Sequence, residues 1–207
     1  MMAGVSELPA SSDEPGGPGT SGPATIAPAL PSRVWLLAII APLVLAADII
    51  TKVVAVAELE GRAPVELLGG LVYLQLIRNP GAAFSFATGY TWLLTVIAIA
   101  VVVVIIRVSR RLRSTGWAIA LGLVLGGALG NLTDRIFRYP GPLQGHVVDV
   151  VSVFATDGRV FPVFNLADSA IVCGGVLLVL MALLGRELDG TRSGTQDVEE
   201  RNGPAGG

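Results

Sequence analysis

Residues 164–186 read FNLADSAIVCGGVLLVLMALLGR. The run 164–184 is long and apolar enough for a helix to cross a hydrocarbon core, which takes roughly 17–25 residues. It is nevertheless interrupted near its start by Asn165 and, one turn on, by Asp168. An aspartate at the centre of a membrane helix costs roughly 2.5–3.5 kcal/mol on insertion scales. The stretch therefore points to a membrane-spanning fold and, through the same residues, to a site that uses the acid.

Three further apolar runs lie upstream, at about 34–57, 90–108 and 116–133. Apolar residues make up 52% of the 207-residue chain and charged residues 14%, against about 25% charged in an ordinary soluble domain. The expected fold is an all-α membrane protein of four transmembrane helices with a small extracytoplasmic β element. The link RVSRRLRST (107–115) places Arg107, Arg110, Arg111 and Arg113 between the second and third runs. Arginines close to membrane ends favour the cytoplasm, so four spans put the N and C termini in the cytoplasm and residues 58–89 and 134–163 outside. In the first outer segment, VELLGGLVYLQLIRN (65–79) reads as a short sheet around a Gly-Gly. Residues 1–32 and 187–207 read as disordered tails on either side of a folded domain, 33–186. The first tail lacks the charged and apolar regions of a secretory signal peptide.

A net charge of −2, with no basic patch interleaved with aromatics, argues against a nucleic-acid partner. One cysteine, Cys173, and one histidine, His146, leave no disulfide framework and no cysteine zinc site; neither metal nor cofactor is expected. Cys173 lies within an apolar helix and reads as packing. His146 follows YPGPLQG and reads as a solvated or interfacial residue.

The topology turns scattered polar residues into a place. Asp48 and Lys52 lie four apart in the outer half of the first span, at ion-pair spacing. In GNLTDR (130–135), Asn131, Asp134 and Arg135 share a face at the outer end of the third span. Asn165 and Asp168 enter the fourth span at the same level. Asn79 and Gly81, in NPGAAF (79–84), and Asp149, in HVVDVVSVF (146–154), point there from the outer segments. Gly122, Gly126 and Gly130 form a small-residue ladder that places the third span inside a bundle. Asp48, Lys52, Asp134 and Arg135 could neutralise one another as purely structural pairs. Asp149 and Asp168 have no basic residue within one turn in sequence.

Two acids close together cannot both ionise easily, so one keeps a proton while the other is a base. Such a pair activates a water against a carbonyl and protonates the leaving amine without metal or nucleophilic serine. A proton-coupled transporter would also place acids in membrane helices, but four helices with no internal repeat make a poor alternating-access machine. A structural scaffold accounts for the glycine ladder and not for the two unpaired acids.

The ordered motifs DxxxK (Asp48, Lys52), NPGAAF (79–84), GGALGNLTDR (126–135), VVD (147–149) and FNLAD (164–168) together closely resemble the bacterial lipoprotein signal peptidases, the type II signal peptidases, over about residues 34–185. The resemblance implies a four-helix membrane aspartyl endopeptidase of the bacterial cytoplasmic membrane, its active site near the extracytoplasmic face. Such enzymes cut diacylglyceryl-modified prolipoproteins just before the lipidated cysteine. It implies Asp149 and Asp168 as the catalytic pair. Asp48, Lys52, Asn79, Gly81, Asn131, Asp134, Arg135 and Asn165 would line or brace the site, with Arg135 toward substrate lipid and backbone. It further implies contact with membrane lipids, inhibition by globomycin-type cyclic peptides, and a monomer. After Asp149 the chain reads VVSV where the family commonly has an aromatic residue next, which keeps an apolar wall of different shape.

Overall fold

The structure, a computed structural model, describes residues 30–81 and 91–193. The expected tail 1–32 falls outside these residues up to residue 29, as do Ala82, Ala83 and Phe84 of the NPGAAF motif and the end of the chain beyond Ser193.

Four helices carry the chain: α1 (Val34–Leu59), α2 (Thr91–Ser109), α3 (Thr115–Phe137) and α4 (Leu166–Leu183). All four are long and apolar enough to cross a membrane. They differ in how they use that apolarity. In α1, α2 and α4 only 17–22% of the apolar window is buried, as suits lipid-facing helices, whereas 56% of the α3 window is buried. α3 is therefore the central helix, packed between α1 and α4 and also touching α2.

The glycine ladder explains how α3 gets so close. A Cβ on Gly122 would sit 2.9 Å from Cβ of Ile40, and one on Gly126 would sit 2.7 Å from the carbonyl of Ala41. On the opposite side Gly174 of α4 faces Ala120 of α3 in the same way, 2.8 Å from its carbonyl. Without an apolar driving force in lipid, this close backbone approach is what holds the bundle together. At the 107–115 end, Leu37, Leu112, Ala118 and Leu121 fill the space between helices.

A three-stranded antiparallel sheet, β1 (Val65–Leu67), β2 (Val72–Asn79) and β3 (Val147–Val153), in the order β1-β2-β3, sits where α1 and α3 end and α4 begins. The sequence reading found the β1–β2 hairpin and missed β3, which it took only as an apolar flank around Asp149. The β-branched run VVDVVSV carried that signal. Phe164, just before α4, pairs with Val151 in a further bridge. The third helix also runs four residues beyond the expected 133. The folded part does not stop at Arg186: residues 185–193 form a tight hairpin, with Glu187 N–H donating to Thr191 O at 3.0 Å and Ser193 N–H to Gly185 O at 2.9 Å.

Candidate active site

β2 and β3 pair with Ile77 opposite Asp149 and Asn79 opposite Val147. Since alternate residues share a face, Asn79 and Asp149 are diagonal neighbours on the same side of the sheet. Asn79 Nδ2 donates to Asp149 Oδ2 at 2.7 Å. Asn79 also shapes its own loop: its Oδ1 accepts from Gly81 N–H at 2.7 Å. Gly81 has φ +116, and a Cβ there would meet Leu94 at 2.6 Å, so the position needs glycine twice over.

Asp168 reaches the same place from α4. Asn165 is the N-cap, its Oδ1 accepting from Asp168 N–H at 2.9 Å, while Asp168 Oδ2 accepts from Asn165 N–H at 3.2 Å. This reciprocal capping box satisfies two backbone donors that a helix start leaves open. The remaining amide group of Asn165 faces the sheet, its Nδ2 donating to Asp149 Oδ1 at 2.7 Å. One asparagine thus holds both acids.

Behind them lies a buried ionic layer. Lys52 Nζ is 2.8 Å from Asp48 Oδ2 and 3.0 Å from Asp134 Oδ2, and it donates to Asn131 Oδ1 at 3.1 Å. Asn131 in turn donates through Nδ2 to Asp168 Oδ1 at 2.7 Å. Asp48, fully buried, accepts from Ala167 N–H at 3.0 Å, fixing the first turn of α4 against α1. Asp134 accepts from Val148 N–H at 3.1 Å, fixing β3 against α3.

The sequence groups Asp48, Lys52, Asp134 and Arg135 as residues that could neutralise one another. The structure gives Asp134 to Lys52 and to Arg138, whose Nε bonds its Oδ1. Arg138 was missed, although its position four residues after Asp134 in a helical stretch is an ion-pair spacing. Arg135 is left to the site. It lines a cavity of about 560 Å³ with Asn79, Gly81 and Asp168, against apolar walls from Leu94, Phe161, Phe164 and Val172. Its Nη1 is buried and has no hydrogen-bond partner among the described residues. Cys173 was expected to pack; it is exposed and lines this cavity. His146 uses its backbone N–H on Tyr139 O at 3.0 Å.

The two acids differ in surroundings. Asp168 is half-buried and borders the cavity, whereas Asp149 is 2% exposed. Burial pushes the Asp149 carboxyl up to about 6, and the nearby Asp168 adds to this; the amides of Asn79 and Asn165 and the charge of Lys52 oppose it. No group of three or more His, Cys, Asp or Glu suited to a metal occurs among the described residues. The arrangement sets one half-buried carboxyl and a guanidinium on a roomy apolar cavity, next to a buried carboxyl that holds its proton above the ordinary carboxylate range.

The family model for signal peptidase (SPase) II, peptidase family A8, matches residues 40–184. A lipoprotein signal peptidase of Rhodococcus jostii (strain RHA1) is 57% identical over 176 residues, covering 85% of this chain and 86% of the relative. One from Mycobacterium tuberculosis (strain ATCC 25618 / H37Rv) is 51% identical over 179 residues, covering 86% and 84%. A solved bacterial membrane enzyme superposes with a TM-score of 0.64 at 26% identity, covering 78% of this chain and 100% of the other.

Proposed function

The chain belongs to the signal peptidase II family, the lipoprotein signal peptidases, and from this we propose that it is a membrane aspartyl endopeptidase that removes signal peptides from diacylglyceryl-modified prolipoproteins. Cleavage falls on the N-terminal side of the lipidated cysteine. The observation that carries this reading is the joint hold of Asn165 on Asp149 and Asp168 at the edge of an apolar cavity. That is a place for an apolar chain beside an acid–base pair.

In the reactive form the pair holds one proton, carried by Asp149, which burial favours as its holder up to about pH 6. Asp168 takes a proton from a water in the cavity as the water oxygen bonds to the scissile carbonyl carbon. Asp149 gives its proton to the carbonyl oxygen, forming a tetrahedral diol. Asp168 then passes its proton to the amide nitrogen, the C–N bond breaks, and a diol hydroxyl returns its proton to Asp149. The net change is addition of one water across the peptide bond. Arg135, with Nη1 unpartnered, donates to substrate carbonyl or ester oxygen. Asn79, Asn131 and Asn165 hold the acids in place, and Lys52, Asp48 and Asp134 brace the layer behind them.

The arginine-rich 107–113 link supports a cytoplasmic location for that end of the bundle and for both termini, which puts the dyad near the extracytoplasmic face. A globomycin-type cyclic peptide would compete for the cavity, and one chain contains the whole site. The test is a gel-shift assay in which purified protein processes a lipidated prolipoprotein. Cleavage blocked by globomycin and dependent on prior lipidation supports the reading. Equal cleavage of unlipidated precursor overturns the substrate assignment.

A further inference from the structure

At the end of the bundle opposite the dyad the charge is one-sided. Arg33, the four arginines of the 107–113 link, Arg186 and Arg192 face only Glu187 and Asp189 among the described residues. At the dyad end, outside the buried layer, Arg62, Arg78, Arg138 and Arg159 are matched by Glu58, Glu60, Glu66 and Asp157.

Part of this positive charge is built into a concavity. The hairpin after α4 folds over the α2–α3 link, with Arg113 N–H and Ser114 N–H both donating to Leu188 O at 3.0 and 3.1 Å. Trp117 Nε1 pins the hairpin's base, donating to Arg186 O at 2.8 Å. Between hairpin and link lies a pocket of about 310 Å³ lined by Arg113, Arg186 and Arg192 against a single acid, Glu187, with Ser114, Thr115 and Thr191. None of these three arginines has a carboxylate in ion-pair range among the described residues, where all ion pairs involve other groups. The two local acids are engaged within the hairpin, Glu187 Oε1 accepting from Ser193 Oγ at 2.5 Å and Asp189 Oδ1 from Thr191 Oγ1 at 2.7 Å, and they offset only part of the charge of the three arginines.

We infer that this pocket is a binding site for the phosphate headgroup of an anionic phospholipid. Its level fits, because it lies at the ends of the membrane-long helices α2 and α4, the end at which α1 begins with the exposed Trp35, and tryptophan belts mark the headgroup zone. Its rim fits as well. Exposed Leu30, Leu183 and Leu184 adjoin the arginines, giving acyl chains an apolar surface that a free phosphate ion would not use. Basic pockets at helix ends are known means of holding anionic headgroups.

Native mass spectrometry of the full chain, purified with equal phosphatidylglycerol and phosphatidylcholine, tests this. Wild type should retain phosphatidylglycerol selectively, and an Arg113→Gln/Arg186→Gln/Arg192→Gln variant should retain it on the order of tenfold less. Arg62→Gln/Arg159→Gln at the other end should match wild type. If the triple variant fails to fold, Arg192→Gln alone, at the hairpin edge, should still lower retention at least about twofold. Undiminished retention in either variant overturns the site. Displacement by millimolar inorganic phosphate as readily as by a soluble phosphatidylglycerol analogue overturns the lipid as its ligand. Selectivity appearing only when Asp197, Glu199 and Glu200 are changed to amides would make the chain's own acidic segment the occupant and also overturn it.

Discussion

Lys52 Nζ donates to Asn131 Oδ1 at 3.1 Å, which turns the amide of Asn131 so that its NH2 group faces Asp168 at 2.7 Å. A buried charge on α1 thereby sets the orientation of a donor to the cavity-facing acid. The same ammonium neutralises the fully buried Asp48 and shares Asp134 with Arg138.

Lys52→Ala should therefore cost about 3–5 kcal/mol, the range for stranding a buried partner charge. The measurement is thermal unfolding in detergent. An unchanged unfolding temperature with lost cleavage would move Lys52 from bracing into the chemistry.

Asp149→Asn and Asp168→Asn preserve shape while removing acid–base capacity. Each should lower the cleavage rate at least about a thousandfold, within the span expected for losing a general acid or base, and leave the fold intact. Normal processing by either variant would end the two-acid mechanism.

Asn165 is 2% exposed and holds both acids, so its loss should act through geometry. Asn165→Ala should cost about 1 kcal/mol of helix capping but reduce kcat roughly a hundredfold, as a small misplacement of reacting groups does, with little change in KM. A loss confined to KM would assign Asn165 to substrate contact instead.

The pH profile follows from Asp149. Its proton is held up to about 6, so the one-proton dyad empties as pH rises through that value. Cleavage should show an alkaline limb at or above about pH 6, displaced upward when substrate excludes more water. The stability sign agrees: a carboxyl raised from 3.8 to about 6 by burial favours the folded state most below 3.8 and loses that contribution as pH rises through about 6. A rate that climbs steadily from pH 6 to 8 would make Asp149 the base.

Gly126→Ala should separate α1 from α3, because the new Cβ would lie 2.6 Å from Val44 Cβ and 2.7 Å from Ala41 O. The expected cost is about 1–3 kcal/mol. Gly175→Ala, with nothing within 4 Å of its Cβ, should leave the unfolding temperature unchanged.

The helices were legible because the bilayer demands long apolar runs, and the polar residues within those runs are costly enough to stand out. Asp48, Lys52, Asn131, Asp134, Asn165 and Asp168 meet at one level as their spacing and topology require. Partner choice was less legible. Asp134 takes Lys52 and Arg138 rather than the adjacent Arg135, since consecutive helical residues point about a third of a turn apart and do not face each other. For β3 the β-branched run signals a strand, but its partner β2 lies about 70 residues away and no local pattern records that register. Residues 187–193 read as part of a tail because their polar composition resembles disorder; their order comes from backbone hydrogen bonds within the hairpin and to the α2–α3 link.

The bridge between β3 and Phe164 has a mechanical meaning. Three backbone hydrogen bonds, Val150 N–H and Val151 N–H to Phe164 O and Phe164 N–H to Val151 O, join the strand carrying Asp149 to the residue before Asn165. The two acids therefore ride on one stapled unit, while the opposite wall of the cavity, Gly81 and Leu94, belongs to the β2–α2 side. Whatever chain the cavity receives in the proposed reaction meets two acids whose separation is set by that staple and not by the chain itself.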